Sequence, residues 1–322
     1  MSVGVLVNPS ARENLRRPNR LEEYLAGRPD VVFGRADRFE DLADILDDFM
    51  RREVRAILIS GGDGTVQAVQ TRLAEMLPAD RLPRLAIIPD GTTNMNAADI
   101  GVQNPRSRVI LERLSVAEYC VRSTNVKRRY TVRVDNPSDG TPRHGMFLGL
   151  GAIHRAVVMC YRDVHTLGLA GGSANAVTLA KALFSSLVGR DRDGDPDRIY
   201  QPTPIAIAAD GRPHCDGDQF LALVTTLHRL VLASRPFWNQ SKEALKVTSV
   251  AFPPRRLLSS LPTAMYGLGS RRWLPDAYRS TAATLLEIHT RAPVILDGET
   301  LQPPADGPMT VSLGPAFEYL CG

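Results

Sequence analysis

The sequence ISGGDGTVQAVQ, residues 59–70, joins a run typical of a buried strand to a segment with the spacing of an amphipathic helix. The junction consists of Gly61, Gly62, Asp63, Gly64 and Thr65. Glycines between a strand and a helix let backbone amides approach an anion, whose charge the helix N-terminus favours. The same composition suits a tight turn in which Asp63 caps the helix. Taken alone, this stretch leaves both interpretations open.

Strand and helix signals alternate on both sides of that junction, from the N-terminus to residue 125. Such alternation predicts a mainly parallel sheet with right-handed crossovers, in which the turns after the strands meet at one edge. Three unusual turns follow strands: Asn8-Pro9-Ser10, the GGDGT junction, and PDGTTN at residues 89–94. The third turn supplies Gly91, Thr92, Thr93 and Asn94. Two glycine-containing turns at one sheet edge favour a site for a nucleotide or a phosphate.

After residue 125 the pattern changes to short strand candidates separated by Gly, Pro and Asp turns, with one helix predicted at Ser173–Val188. Many strands with few helices are typical of an antiparallel sandwich or barrel. We therefore expect a Rossmann-like α/β domain over residues 1–125 and a β-rich domain over residues 126–322. An alternative path for the last strand of the second domain is a return toward the first domain. The cleft between two such domains is the expected place for a nucleotide.

The composition narrows the class of protein. The 322-residue chain has a net charge of +4, four cysteines without a CxxC pair, and no apolar run long enough to span a bilayer. Its N-terminus lacks the basic and apolar regions of a signal peptide, so we expect a cytoplasmic protein. We expect no nucleic-acid partner, and the sequence leaves the oligomeric state open.

Two segments combine paired arginines with apolar residues. They are PRRLLSSL at residues 254–261 and GSRRWLP at residues 269–275. This mixture suits an anionic membrane surface, where apolar side chains insert and guanidinium groups meet the headgroups. The alternative is a solvated basic edge beside packed core residues.

Taken in order, the three turns and a late Asp297-Gly298-Glu299 in the β-rich part form a pattern. This pattern resembles the catalytic family of diacylglycerol kinases, which includes bacterial lipid kinases, sphingosine kinases and ceramide kinases, with NAD kinases as distant relatives. The resemblance implies a kinase that binds ATP with Mg²⁺ and transfers the γ-phosphate to a hydroxyl of a membrane lipid. The enzyme would be peripherally associated with the inner face of the membrane. Diacylglycerol and a sphingolipid such as ceramide both remain as acceptors.

The resemblance also implies roles for the matched residues. The Asn-Pro-Ser turn would lie near the nucleotide, and the two glycine-containing turns would hold its phosphates. Asp63 would belong to the acidic network around Mg²⁺. Asp297, expected at an exposed strand end, would be the base for the lipid hydroxyl, with Glu299 orienting it or helping to hold metal. Without the resemblance, LDGETL at residues 296–301 is a good β-hairpin sequence.

The sequence departs from the family at two places. GGDGT is commonly followed by a residue and then Asn-Glu, where this chain has Gln67-Ala68, and the second turn is commonly followed by Asp-Phe-Ala, where it has Met95-Asn96-Ala97. The usual acidic network is therefore altered. Two rival functions stay open: an NAD kinase-like kinase of a soluble nucleotide, and a non-catalytic relative that binds a lipid or a nucleotide.

A second acidic segment offers a weaker candidate for metal binding. HCDGDQF at residues 214–220 places Asp216 and Asp218 on either side of a glycine, as in many loops that bind hard cations. An acidic β-turn is the favoured interpretation.

Overall fold

The computed structural model describes residues 2–16, 21, 25, 27–102, 125–167, 198–238, 241 and 243–321, and of residues 160–167 only the backbone. The chain divides into two units: unit 1 is Met1–Thr131 with Pro315–Gly322, and unit 2 is Val132–Gly314. The helix predicted at Ser173–Val188 lies outside the described residues.

Strands and helices alternate along unit 1, as the sequence predicts. In chain order they are β1 (Val3–Val7), α1 (Arg12–Arg16), β2 (Val31–Arg35), α2 (Asp41–Arg51), β3 (Ala56–Gly61), α3 (Asp63–Met76), β4 (Arg84–Pro89) and α4 (Met95–Ile100). The four strands pair in parallel in the order β2-β1-β3-β4. The expected parallel α/β arrangement is therefore confirmed.

The packing of this sheet follows from its apolar pattern. Every residue of β1 and β3 is buried, as is typical of central parallel strands. On α2, Leu42, Leu46 and Phe49 are spaced three or four residues apart and are buried together. The Phe49 ring lies against Gly4, where a Cβ atom would approach the ring to 2.6 Å. Each of these three side chains contributes roughly 1.5–3 kcal/mol through burial.

Unit 2 is built mainly from antiparallel strands. The remaining elements are β5 (Val126–Val134), β6 (Arg143–Gly145), β7 (Phe147–Gly151), α5 (Ala152–Leu167), β8 (Thr203–Pro204), β9 (Ala206–Ala209), β10 (Arg212–Cys215), β11 (Asp218–Thr225), β12 (Leu245–Ala251), α6 (Leu257–Tyr266), β13 (Tyr278–Ala283), β14 (Leu285–His289), β15 (Val294–Leu296), β16 (Glu299–Leu301) and β17 (Met309–Leu320). One sheet has the order β10-β9-β14-β17 and the other β13-β12-β11-β7-β15-β16. Apolar side chains from both sheets share one buried cluster. The predicted β-rich fold is confirmed.

The boundary between the units falls inside two strands, β5 and β17. Unit 1 reaches residue 131 and includes residues 315–322, and the domain limits of 1–125 and 126–322 stay a prediction. Tyr319 of β17 pairs in parallel with Leu85 of β4. None of the helices in the described part of the chain is long and apolar enough to cross a membrane.

The buried side chain of His144 in β6 makes the stability of unit 2 depend on pH. The pKa of His144 is lowered from 6.5 to about 4, mainly by burial; the charge of Arg133 acts in the same direction, and Asp135 opposes the shift. As the pH falls below 6.5 the unfolded chain takes up a proton that the folded chain does not, so folding loses stability down to a pH of about 4. Well above pH 6.5 His144 is neutral in both the folded and the unfolded chain, and it causes no loss of stability.

We expect the unfolding free energy to fall by about 2 kcal/mol from pH 7 to pH 5 because of His144. Urea unfolding of the wild type and of His144→Gln at both pH values measures this, because the variant keeps every other titrating group. An equal pH dependence in the two proteins would show that His144 is not the source.

Candidate functional site

The three turns that the sequence singled out meet at one edge of the unit 1 sheet. Strands β1, β3 and β4 are neighbours, and their last residues align, with Val7 opposite Ser60 and Gly61 opposite Pro89. The amide of Asn8 donates to the carbonyl of Ser60 at 2.9 Å. The amide of Asp90 donates to the carbonyl of Gly61 at 3.2 Å. The carboxyl ends of the strands therefore bring the turns together, as expected for an open parallel sheet.

The glycines of the two glycine-containing turns touch each other. A Cβ atom at Gly91 would lie 2.3 Å from the Cα atom of Gly62, and one at Gly62 would lie 3.0 Å from the Cα atom of Gly91. A Cβ atom at Gly61 would meet the side chain of Thr65 at 2.7 Å. Neither Gly61, Gly62 nor Gly91 has a positive φ. These positions require glycine because there is no space for a side chain.

The first turn is fixed to the GGDGT turn through Asn8. Its Nδ2 atom donates to Oγ1 of Thr65 at 2.9 Å, and its Oδ1 atom accepts the amide of Ser10 at 2.9 Å. Pro9 is half-buried and Ser10 is exposed. The predicted grouping of Asn8 with the GGDGT residues therefore appears as a direct contact.

A buried polar chain beneath the turns was not predicted. Nδ2 of Asn14 donates to the carbonyl of Asn8 at 2.8 Å and to Oγ of Ser60 at 3.0 Å. Oγ of Ser60 in turn donates to Oδ2 of Asp90 at 2.6 Å. Ser60 is fully buried, and Asn14 and Asp90 nearly so. The signal in the sequence was the polar Ser60 at the end of an apolar strand, whose partners are distant in the chain.

Asn94 shapes the PDGTTN turn. It adopts the left-handed conformation at φ 48°, directly before α4. Its Oδ1 atom accepts the amide of Gly91 at 2.9 Å, and its Nδ2 atom donates to the carbonyl of Gly91 at 2.9 Å and of Pro89 at 3.1 Å. Thr92 is half-buried and Thr93 is exposed.

Asp63 caps a helix, but not the helix that begins with it. Its Oδ2 atom accepts the amide of Met95 at 2.9 Å, and its Oδ1 atom accepts the amide of Asn96 at 3.0 Å. These are the first two residues of α4, whose N-terminal dipole favours a negative charge. Burial raises the pKa of Asp63, and the two amides oppose that shift. Asp63 thus ties the GGDGT turn to the helix after the second turn.

The other end of α4 is fixed by basic residues of β5. Nζ of Lys127 donates to the carbonyl of Ile100 at 2.8 Å, where the helix ends. Nε of Arg129 contacts Oδ2 of Asp99 at 2.6 Å, and the Asp99 side chain is completely buried. A helix of six residues is marginal by itself, so these contacts at both ends account for its presence.

The edge of the sheet has the chemistry of an anion site. The first amides of α3 lack partners within their own helix, and Gly64 adds no side chain that would cover them. Nearby hydroxyls of Thr92 and Thr93 add donors. The described residues contain no group of three or more His, Cys, Asp or Glu side chains that could hold a metal ion. Each carboxylate oxygen of Asp63 accepts one amide, and within the described residues no further acidic group joins Asp63 in a cluster that could hold magnesium.

The second metal candidate is a surface turn. Asp216 and Asp218 are both exposed, on either side of Gly217, between β10 and β11. Gly217 has φ 88°, a conformation that favours glycine. A tight acidic turn accounts for this segment, and a metal ion there stays a prediction.

In unit 2, Asp297 and Glu299 have opposite environments. Asp297 and Gly298, at φ 47° and 100°, form the two-residue turn between β15 and β16. Asp297 is only 3% exposed, so the expectation of an exposed strand end is wrong. Its carboxylate bends inward and accepts the amides of Met146 at 2.8 Å and Phe147 at 3.0 Å. Glu299 is exposed, and among the described residues its carboxylate has no hydrogen bond or ion pair.

The two departures from the family pattern are buried in unit 1. Gln67 is 4% exposed and donates from Nε2 to Oγ1 of Thr71 at 3.2 Å, one turn along α3. Met95 is buried at the start of α4, and Asn96 is completely buried. None of these residues supplies a carboxylate beside Asp63.

The three turns lie within a part of the chain that matches a known domain. Residues 2–121 match the model of the diacylglycerol kinase catalytic domain. The resemblance drawn from the motifs is confirmed over these residues. No curated protein sequence matches the chain.

Solved structures extend the likeness to the whole chain. Two structures of a candidate diacylglycerol kinase from Bacillus anthracis strain Sterne are 19% identical, with a TM-score of 0.67. A third, of a diacylglycerol kinase from the same strain, is 18% identical with a TM-score of 0.61. Each match covers 100% of this chain and 97% of the other. At such identities the likeness shows a shared fold.

Proposed function

We propose that the protein is an ATP-dependent lipid kinase, which transfers the γ-phosphate of ATP to a hydroxyl of a membrane lipid. The observation that carries the proposal is the contact between Gly62 and Gly91. It joins the two glycine-containing turns of a matched kinase domain at the carboxyl edge of a parallel sheet. Backbone amides and hydroxyls at this edge suit the phosphates of ATP. Magnesium would accompany ATP as the counterion of its phosphates.

Phosphoryl transfer requires positioning and charge neutralisation more than covalent catalysis. The polar chain from Asn14 through Ser60 to Asp90 supports the positioning, because it fixes all three turns from beneath. The Asp63 cap on α4 supports it as well, since it limits movement between the turns. Unit 1 is therefore proposed to bind and orient the nucleotide.

We assign the proton acceptor for the lipid hydroxyl to Glu299, with Asp297 as a positioning residue. The carboxylate of Glu299 is exposed, as a general base that meets a substrate must be. The carboxylate of Asp297 is occupied by two amides, which fix the β15–β16 turn that presents Glu299. This reverses the roles that the sequence pattern implied for the two residues.

An acceptor panel tests the proposal. Purified protein with MgATP is offered diacylglycerol, ceramide and a sphingoid base in mixed micelles, and NAD in solution, and labelled product is measured. We expect transfer to a lipid and none to NAD. Transfer to NAD alone would support the soluble-nucleotide kinase, and ATP binding without transfer to any acceptor would support a non-catalytic relative.

A further inference from the structure

Unit 2 carries an unusual set of exposed apolar side chains. Five large residues are between 44% and 78% exposed: Leu232, Leu258, Tyr266, Leu268 and Trp273. We refer to these five as the exposed apolar surface. All belong to α6 or to the segments beside it. Scattered single apolar residues need no explanation, but a concentration of this kind marks an interaction site.

The helix α6 presents apolar side chains to solvent as well as to the core. Leu258, Pro262 and Tyr266 are four residues apart, so they share one face, and all three are exposed. Ser260 and Ala264, on another face, are buried. A helix on the surface of a water-soluble protein normally turns polar side chains toward solvent. The outward face of α6 is therefore suited to contact with an apolar environment.

Hydrogen bonds hold the segments around α6 together. The hydroxyl of Tyr266 donates to the carbonyl of Leu232 at 3.3 Å, and the hydroxyl of Thr263 donates to the carbonyl of Leu268 at 2.7 Å. A Cβ atom at Gly269 would lie 3.4 Å from the ring of Trp273. These contacts fasten to one another the segments that carry the exposed apolar side chains.

Most of the charges along these segments are positive. Residues 254–276 contain four arginines and one carboxylate, Asp276 at the end. Arg271 is turned inward and donates to the carbonyls of Phe237 at 2.8 Å and Arg235 at 2.9 Å. Arg255, Arg256 and Arg272 are exposed, and within the described part of the chain none of them pairs with a carboxylate. An apolar centre is thus bordered by unpaired positive charge.

We propose that the exposed apolar surface docks unit 2 on an anionic lipid bilayer. Trp273, Leu268 and the outer face of α6 would enter the interface, and the exposed arginines would meet lipid phosphates. A second copy of the chain is a poorer partner, because a twofold contact would set these arginines against one another. The inference goes beyond the proposed kinase activity and does not depend on it, since docking needs no ATP.

Tryptophan fluorescence tests insertion directly. The chain has two tryptophans, and Trp238 is partly buried and packed in the core beneath, whereas Trp273 is 78% exposed. We expect vesicles of equal parts phosphatidylglycerol and phosphatidylcholine to shift the emission to shorter wavelength, and vesicles of phosphatidylcholine alone to leave it unchanged. The Trp273→Phe variant is expected to bind the anionic vesicles without the shift.

Cosedimentation without ATP measures the affinity. We expect the double variant Leu268→Ser, Trp273→Ser to bind anionic vesicles at least tenfold more weakly than the wild type, and its remaining affinity to fall as salt increases. The double variant Arg255→Gln, Arg272→Gln should bind these vesicles roughly 20-fold more weakly than the wild type. The matched controls are Phe39→Ser, exposed in unit 1, and Arg291→Gln, exposed in unit 2, which should stay within about twofold. Urea unfolding confirms that each variant is folded.

Three outcomes would overturn the docking surface: equal binding to neutral vesicles, binding without any change in Trp273 emission, or a lipid-free dimer that Trp273→Ser abolishes. The test is separable from the kinase proposal. A Glu299→Gln protein should bind vesicles normally even when inactive, and Trp273→Ser should keep its activity on lipid dispersed in detergent.

Discussion

Gly91→Ala should disrupt the nucleotide site and lower the unfolding free energy of unit 1 by roughly 1–3 kcal/mol, the usual range for overpacking. The added methyl group would lie 2.3 Å from the Cα atom of Gly62 and 2.9 Å from Oδ1 of Asn94. The first neighbour is backbone, which has no rotamer to change, so β3 and β4 must separate where they end. We expect ATP affinity to fall more than tenfold, measured by calorimetry, with urea unfolding for stability.

Two glycines in the same chain provide controls. Gly62→Ala meets the Cα atom of Gly91 at 3.0 Å, a milder clash, and should lie between the wild type and Gly91→Ala in both measurements. Gly140 has φ +68° with open space around it, so Gly140→Ala introduces backbone strain without a clash. It should leave ATP affinity unchanged. If Gly91→Ala had the same unfolding free energy and the same ATP affinity as the wild type, the contact between Gly62 and Gly91 would not be what assembles the site.

This contact sharpens why GGDGT contains its glycines. The sequence suggested that they expose amides to a phosphate, or that they form a turn. The structure adds that Gly61, Gly62 and Gly91 lack space for any side chain, and that none needs a positive φ. The pattern in the sequence could place the turns at one edge, because parallel strands end together. It could not identify which atoms would touch, because these depend on two turns that are 30 residues apart.

The sequence predicted those features that depend on residues close together in the chain. The alternation of strand and helix predicted the parallel sheet, and Asp297-Gly298 predicted the two-residue hairpin. The hydrogen-bond partners of Asp63 could not be predicted in this way, because a capping residue is normally expected to bind the amides of the helix that it begins. Asp63 instead caps α4, which begins 32 residues later. The exposure of α6 was indicated only in part: the paired arginines in residues 254–261 and 269–275 suggested a membrane-facing edge, with a solvated basic edge as the alternative, whereas an apolar row alone predicts burial.

Glu299→Gln should reduce the turnover of the lipid kinase by about 10²–10⁴-fold, the usual contribution of a general base. The side chain is exposed, so the unfolding free energy should change by no more than about 0.5 kcal/mol. The KM for ATP should also be unchanged, because Glu299 is proposed to accept the proton of the lipid hydroxyl and not to bind the nucleotide. Steady-state kinetics with the best acceptor of the panel, together with urea unfolding, measures all three quantities.

Asp297→Asn is the informative companion, because it separates a base from a residue that positions one. Asparagine keeps the turn, since Asn-Gly is favoured where both φ angles are positive. Its single carbonyl oxygen can satisfy only one of the amides of Met146 and Phe147, and its amide group opposes the other. We therefore expect a loss of roughly 1–3 kcal/mol in unfolding free energy, with a loss of activity that accompanies it.

Asp210 offers the matched control for that change. It occupies the same position in the two-residue turn between β9 and β10, with φ 47° before Gly211 at φ 74°. Its carboxylate also accepts two amides, from Thr284 at 3.0 Å and Leu285 at 2.9 Å, but it is exposed to water. Asp210→Asn should thus cost less stability than Asp297→Asn and leave turnover unchanged. If Glu299→Gln kept its turnover while Asp297→Asn lost it at unchanged stability, the base would be Asp297, because only a chemical role could then explain the loss.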